Sequence, residues 1–145
     1  MPDAARIKEL KPFIGRWATT IEMTEDGQTS THHATDVYRW ALSEKFIFHD
    51  VSGKMGGQPI ETLEIMSVKG SKNFDLRSYD NMGAIEDCTA SLNGHNWRID
   101  GDALRFRGAF SKDWQVLEGK WERRSGARWQ LWLMVKLAKS PGNQS

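Results

Sequence analysis

The chain has 145 residues, of which 20 are basic and 19 acidic, for a formal net charge of +1. That length suits one domain, large enough to bury a core without staples. The near-balance of charge argues against a basic face for nucleic acid, the single cysteine, Cys88, excludes an internal disulfide, and no stretch approaches the ~18 apolar residues of a membrane span.

The first residues, Met1 to Arg6, carry acid and base but no apolar run, so no signal peptide is expected and a soluble, cytoplasmic protein is the default. Asp3 to Phe13 reads as a helix. Asp3 is its N-cap, Ile7, Leu10 and Lys11 have helical spacing, Pro12 ends it and Gly15 permits the turn into the first strand. Trp17, Thr19, Ile21 and Met23 alternate with Ala18, Thr20, Glu22 and Thr24, the pattern of a half-buried strand. After a turn at Glu25-Asp26-Gly27, a second strand from about Ala34 to Leu42 sets Tyr38, Trp40 and Leu42 on one face. The third, near Lys45 to Ser52, holds Phe46-Ile47-Phe48-His49 and is apolar on both faces.

A glycine-bearing loop from Gly53 to Gln58 leads to the fourth strand, about Pro59 to Val68, and the fifth runs from Phe74 to Asp80. Ala84 to Leu92 ends at Asn93-Gly94, and a short strand with Trp97 and Ile99 ends at Asp100-Gly101; both dipeptides are strong hairpin signals. Three more strands follow at Ala103 to Phe110, Gln115 to Glu122 and Arg128 to Ala138, and the tail 140–145 is expected to be mobile. Roughly ten strands with hairpin-length links favour antiparallel neighbours, and closure hides the two edges of such a meander. The expected fold is therefore all-β: an antiparallel up-and-down β-barrel with a short N-terminal helix, one domain over residues 1–145.

The helix, the Gly15-Arg16-Trp17 start and the meander resemble the lipocalin and fatty-acid-binding superfamily of calycin barrels. The chain is most similar to a group of bacterial lipocalin-like domains of unassigned function. The likeness rests on Leu10, Gly15, Trp17, Tyr38, Trp40, Phe48-His49, Glu64-Ile65, Tyr79-Asp80 and Gly83. It continues through Trp97, Ile99, Gly101, Arg105-Phe106, Gly108, Phe110, Gly119, Trp121-Glu122, Trp129 and Trp132, spanning most of Leu10 to Lys139. It implies a barrel that can hold a ligand, not an activity. True lipocalins cover the first-strand tryptophan with a late arginine; here the final strand offers Arg128 at its start and Lys136 near its end.

Catalytic and metal motifs are missing from the sequence. His32 and His33 are neighbours on an extended segment and point to opposite faces, and no Cys pair or His-x-x-x-His spacing supports zinc. Nitrobindin-like barrels hold haem through one histidine, for which His49 would be the first candidate. The reading taken is a satisfied core or rim histidine, with no metal and no cofactor expected. Gly56-Gly57 lacks the Lys-Ser/Thr of a phosphate loop, and no nucleophile elbow is present. On the fourth strand Thr62, Glu64 and Met66 share a face; if it points inward, a carboxylate enters the barrel and needs a cation, for which Arg105, Arg107 and Arg77 are the candidates.

Three functional readings follow. The first is a binding module for a small hydrophobic ligand, with Trp40, Phe48, Trp121 and Trp132 as walls and Tyr38, His49, Glu64, Tyr79 and Arg105 as orienting polar groups. The second is a structural or interaction domain whose seven tryptophans fill the core, acting as a homodimer through the last strand. In that strand Trp129, Leu131, Leu133, Val135 and Leu137 share one face, with Trp132 and Met134 on the other. The third is a small-molecule enzyme in which Glu64 and His49 exchange protons.

Overall fold

The computed structural model describes residues 3–141. A 3-10 helix over Ala4–Phe13 precedes ten strands: β1 (Gly15–Glu25), β2 (Gln28–Ala41), β3 (Phe46–Met55), β4 (Gln58–Lys69), β5 (Asn73–Asp80), β6 (Ile85–Asn93), β7 (Asn96–Asp100), β8 (Leu104–Phe110), β9 (Val116–Ser125) and β10 (Arg128–Lys139). Each strand pairs antiparallel with its sequence neighbours, and β1 pairs with β10, so the sheet closes into an up-and-down barrel without an edge. The expected mobile tail lies, from residue 142 onward, outside the described residues. Before that point the Ser140 N–H still donates to the Arg16 carbonyl, at 2.8 Å. No helix among the described residues is long and apolar enough to cross a membrane.

The helix begins where Asp3 accepts a hydrogen bond from the Ala5 N–H, at 3.0 Å, and runs through Pro12 to Phe13 rather than stopping at the proline. A 3-10 helix turns once in three residues, so positions i and i+3 eclipse. Ile7, Leu10 and Phe13 therefore stand in one row, and all three are fully buried. Lys11, grouped with Ile7 and Leu10 by α-helical spacing, falls off that row and is exposed.

This row closes one end of the barrel. The Phe13 ring lies 4.8 Å from the rings of Tyr38 and Trp97 and 4.9 Å from that of Phe110. Arg6 reaches the Gly70 carbonyl at 3.0 Å, with its guanidinium over the Phe74 ring. The Trp17 indole N–H donates to the Phe13 carbonyl at 2.8 Å. The cation over the Trp17 ring is Lys139, at 4.9 Å, not Arg128 or Lys136. Register explains this: Lys139 is the cross-strand partner of Trp17, whereas Lys136 pairs with Thr20, one residue off the inward set.

The last strand departs from simple alternation. Its pairing with β9 shifts register between Leu131 and Leu133, and one extra residue reverses which side chains face inward. Leu133 and Leu137 are buried, while Leu131, expected on the same face, is half exposed. Trp129 instead lies beneath the guanidinium groups of Arg105 and Arg124.

Candidate functional site

Helix and aromatic rings fill one end of the barrel; the other contains a cavity of about 390 Å³. Small-molecule sites typically span roughly 300–1,000 Å³. Its walls are largely apolar, with Ile21, Val51, Ile99, Phe106 and Leu133 among them. Met55, Asn81 and Met82, from turns and strand ends, stand at the open rim, and Met82 is 87% exposed.

One polar cluster enters this space. Alternation turns Ile47, His49 and Val51 of β3 inward, and register sets His49 beside Tyr38 on β2 and Glu64 on β4. Asp36, two residues before Tyr38 on the same face, reaches His49 diagonally. His49 Nε2 lies 2.6 Å from Asp36 Oδ2, and Nδ1 lies 2.9 Å from Glu64 Oε1. The Thr19 hydroxyl donates to the other Asp36 oxygen at 2.5 Å.

A protonated imidazole carries a hydrogen on each nitrogen and can donate to both carboxyl groups at once. Burial pulls its pKa down, but hydrogen bonds to Asp36 and Glu64 outweigh burial and raise it from 6.5 to about 9. The Tyr38 ring stacks on the imidazole, and burial, then the nearby carboxylates, push its phenol well above the ordinary range. Tyr38 is only 6% exposed, yet its hydroxyl has no hydrogen-bond partner among the described residues. Every sealed side-chain polar atom there has a partner, so this hydroxyl meets open space, and Tyr38 lines the cavity. Glu64 engages His49 through one oxygen and keeps 18% of its side chain accessible. The cluster thus offers a carboxylate oxygen and a phenol, while both imidazole hydrogens are already engaged.

Of the residues singled out in the sequence, Tyr38, His49, Glu64, Trp121 and Trp132 line the cavity. Trp40 instead lines a separate groove with Pro12, Ile14 and Lys139, near the helix. Phe48, Tyr79 and Arg105 do not line the cavity: each alternates with an inward neighbour, His49, Ser78 and Phe106 respectively. Outside, Arg39 covers Phe48, Arg77 covers Tyr79, and Arg105 pairs with Glu122 at 2.8 Å. The partner of Glu64 is His49 rather than an arginine, because Arg105, Arg107 and Arg77 are matched with Glu122, Asp100 and Asp87.

Asp36 and Thr19 are the members that sequence reasoning passed over. The signal was an acid within the inward series Ala34, Asp36, Tyr38, Trp40, where an unpartnered carboxylate would be costly. No group of three or more His, Cys, Asp or Glu side chains among the described residues is arranged to hold a metal ion.

No family model matches the chain, and no curated protein matches it. Solved structures do. A redesigned β-barrel aligns at 17% identity with a TM-score of 0.45, over 97% of this chain and 98% of its own. The crystal structure of Rv2717c from M. tuberculosis aligns at 15% identity with a TM-score of 0.70, over 97% of this chain and 100% of its own. At that identity the likeness to Rv2717c is one of fold.

Proposed function

We propose that the barrel binds one small, largely apolar molecule in its open half, oriented at its polar end by the cluster around His49. The observation that carries this reading is an apolar-walled cavity of about 390 Å³ that also contains a buried phenol without a partner among the described residues. A filled-core role accounts for the helix end but leaves that cavity and the Tyr38 hydroxyl without an occupant. Proton exchange between His49 and Glu64 meets its distance requirement at 2.9 Å. An imidazolium with both hydrogens engaged, however, offers no base at neutral pH.

The test is titration with the neutral probe N-phenyl-1-naphthylamine, read by its fluorescence. Saturable one-to-one binding is expected. Val51→Trp, which puts a large ring into the cavity wall, should abolish it. Absence of saturable binding would sink the reading, and undiminished binding to folded Val51→Trp would move the site out of the barrel.

A further inference from the structure

We propose that the ligand head is a cation, a protonated amine on an apolar body. This rests on the reading that the cavity is a ligand site and adds the charge of what enters it. Asp36, Glu64 and Asp80 line the cavity, and among the described residues His49 is the only basic one that does, with no lysine or arginine beside it. Asp36 and Glu64 set two carboxyl groups against the single imidazole of His49 in a largely apolar space. Arg105, Arg107 and Arg77 do not balance the extra carboxyl group: none of them lines the cavity, and each is paired with another acid.

A second observation, independent of the acids, points to the same place. The Tyr38 hydroxyl, on a residue 6% exposed, opens on this cavity without a partner among the described residues. An ammonium head supplies several N–H donors, which suits a carboxylate oxygen of Glu64 and the lone pairs of a phenol. A carboxylate head fits poorly. Its natural partner would be the imidazolium, but both His49 hydrogens are held by Asp36 and Glu64. It would also bring a third carboxylate beside two others in a medium of low dielectric, where like charges repel strongly. Asp80, whose Oδ1 accepts from the Met82 and Ala84 N–H groups, adds negative potential to the cavity wall.

The test is a matched head-group series on one tail: n-octylamine, 1-octanol and octanoate, titrated at pH 7 by calorimetry or by quenching of tryptophan emission. The amine should bind about tenfold more tightly than the alcohol, the gain of a charge-assisted over a neutral hydrogen bond, and the carboxylate most weakly. Glu64→Gln keeps an acceptor for His49 and should remove the amine's preference over the alcohol. If the alcohol equals or exceeds the amine in the native protein, the cation preference is overturned and the apolar site stands. If none of the three binds, and the neutral probe also fails, the site itself is wrong and the inference goes with it. A folded Glu64→Gln variant that retains the full amine preference also overturns the proposal.

Discussion

Tyr38 lies flat against His49, with ring centroids 3.8 Å apart and planes 10° from parallel. The two are direct cross-strand partners on β2 and β3, so the pair is set by register rather than by a loop. Stacking fixes the imidazole plane, leaving its edges, where the nitrogens sit, to Asp36 and Glu64. The same tyrosine ring packs against Phe13 of the helix. It therefore joins the filled end of the barrel to the polar cluster in the open end.

That double role separates the ring of Tyr38 from its hydroxyl. Tyr38→Phe keeps both ring contacts and removes a hydroxyl without a protein partner, so stability should change by less than about 1 kcal/mol. Tyr38→Ala opens a void beneath Phe13 and beside His49 and should cost roughly 3–5 kcal/mol. Urea unfolding of both variants checks this. Equal, large losses would mean that the hydroxyl is structurally engaged, contrary to the geometry.

Stability should depend on pH through His49. Its folded pKa, about 9, lies above the ordinary 6.5, because the hydrogen bonds to Asp36 and Glu64 favour the protonated ring. Folding thus favours proton uptake. The stabilisation is complete below pH 6.5, declines as pH rises and is lost above about 9. The expected fall in unfolding free energy across that window is up to about 3 kcal/mol. His49→Gln should flatten it. An unaltered slope in that variant would assign the effect to other groups.

The barrel was legible because each of its ten strands carries a local signal, either alternation or a Gly-bearing turn, and neighbours in sequence are neighbours in space. The inward face of β4 was legible only as a condition, since Thr62, Glu64 and Met66 mix polar and apolar residues, as does the opposite face. What decided it was long-range register: His49 opposite Glu64 brings a charge partner that no pattern within β4 contains. Phe48 illustrates the reverse case. An aromatic residue beside His49 reads as cavity wall, yet the period of two sends it outward, where Arg39 covers it. In β10 the pattern itself misled, because a one-residue bulge is invisible in a run of alternating apolar residues and exchanges the faces of Trp129 and Leu131. Leu42, counted with Tyr38 and Trp40, belongs to a turn with positive φ and is largely exposed.

Lys139 should fasten the helix to the barrel. Its ammonium donates to the Pro12 carbonyl at 2.8 Å and lies over the Trp17 ring, joining helix, first strand and last strand. Burial lowers its pKa, yet the carbonyl and the ring face both favour a cation. Lys139→Met retains most of the stem and loses the charge, so a cost of about 1–2 kcal/mol is expected. In a chain of this size that lowers the melting temperature by roughly 2–8 °C. Lys136→Met, on the strand's other face, should leave the melting temperature within about 1–2 °C of the native value. Equal effects from the two substitutions would remove the special role of Lys139.

Gly108 and Gly119 face each other across β8 and β9, and the Phe106 ring lies over both. A Cβ at Gly119 would collide with Phe106 Cζ and come within 2.6 Å of the Arg107 carbonyl oxygen; one at Gly108 would come within 2.6 Å of both the Phe106 ring and the Glu118 carbonyl oxygen. Backbone sits on one side of each clash, so only the ring can yield. That ring is buried, lines the cavity and packs against Trp121 at 5.2 Å. Gly119→Ala should therefore cost on the order of 1–3 kcal/mol in stability and push Phe106 into the cavity. Lower affinity for N-phenyl-1-naphthylamine should accompany the loss. Phe106→Leu in the same chain should recover much of the stability by freeing the space above the glycines. If Gly119→Ala were as stable as the native protein and bound the probe equally well, the ring would not be held where the structure places it.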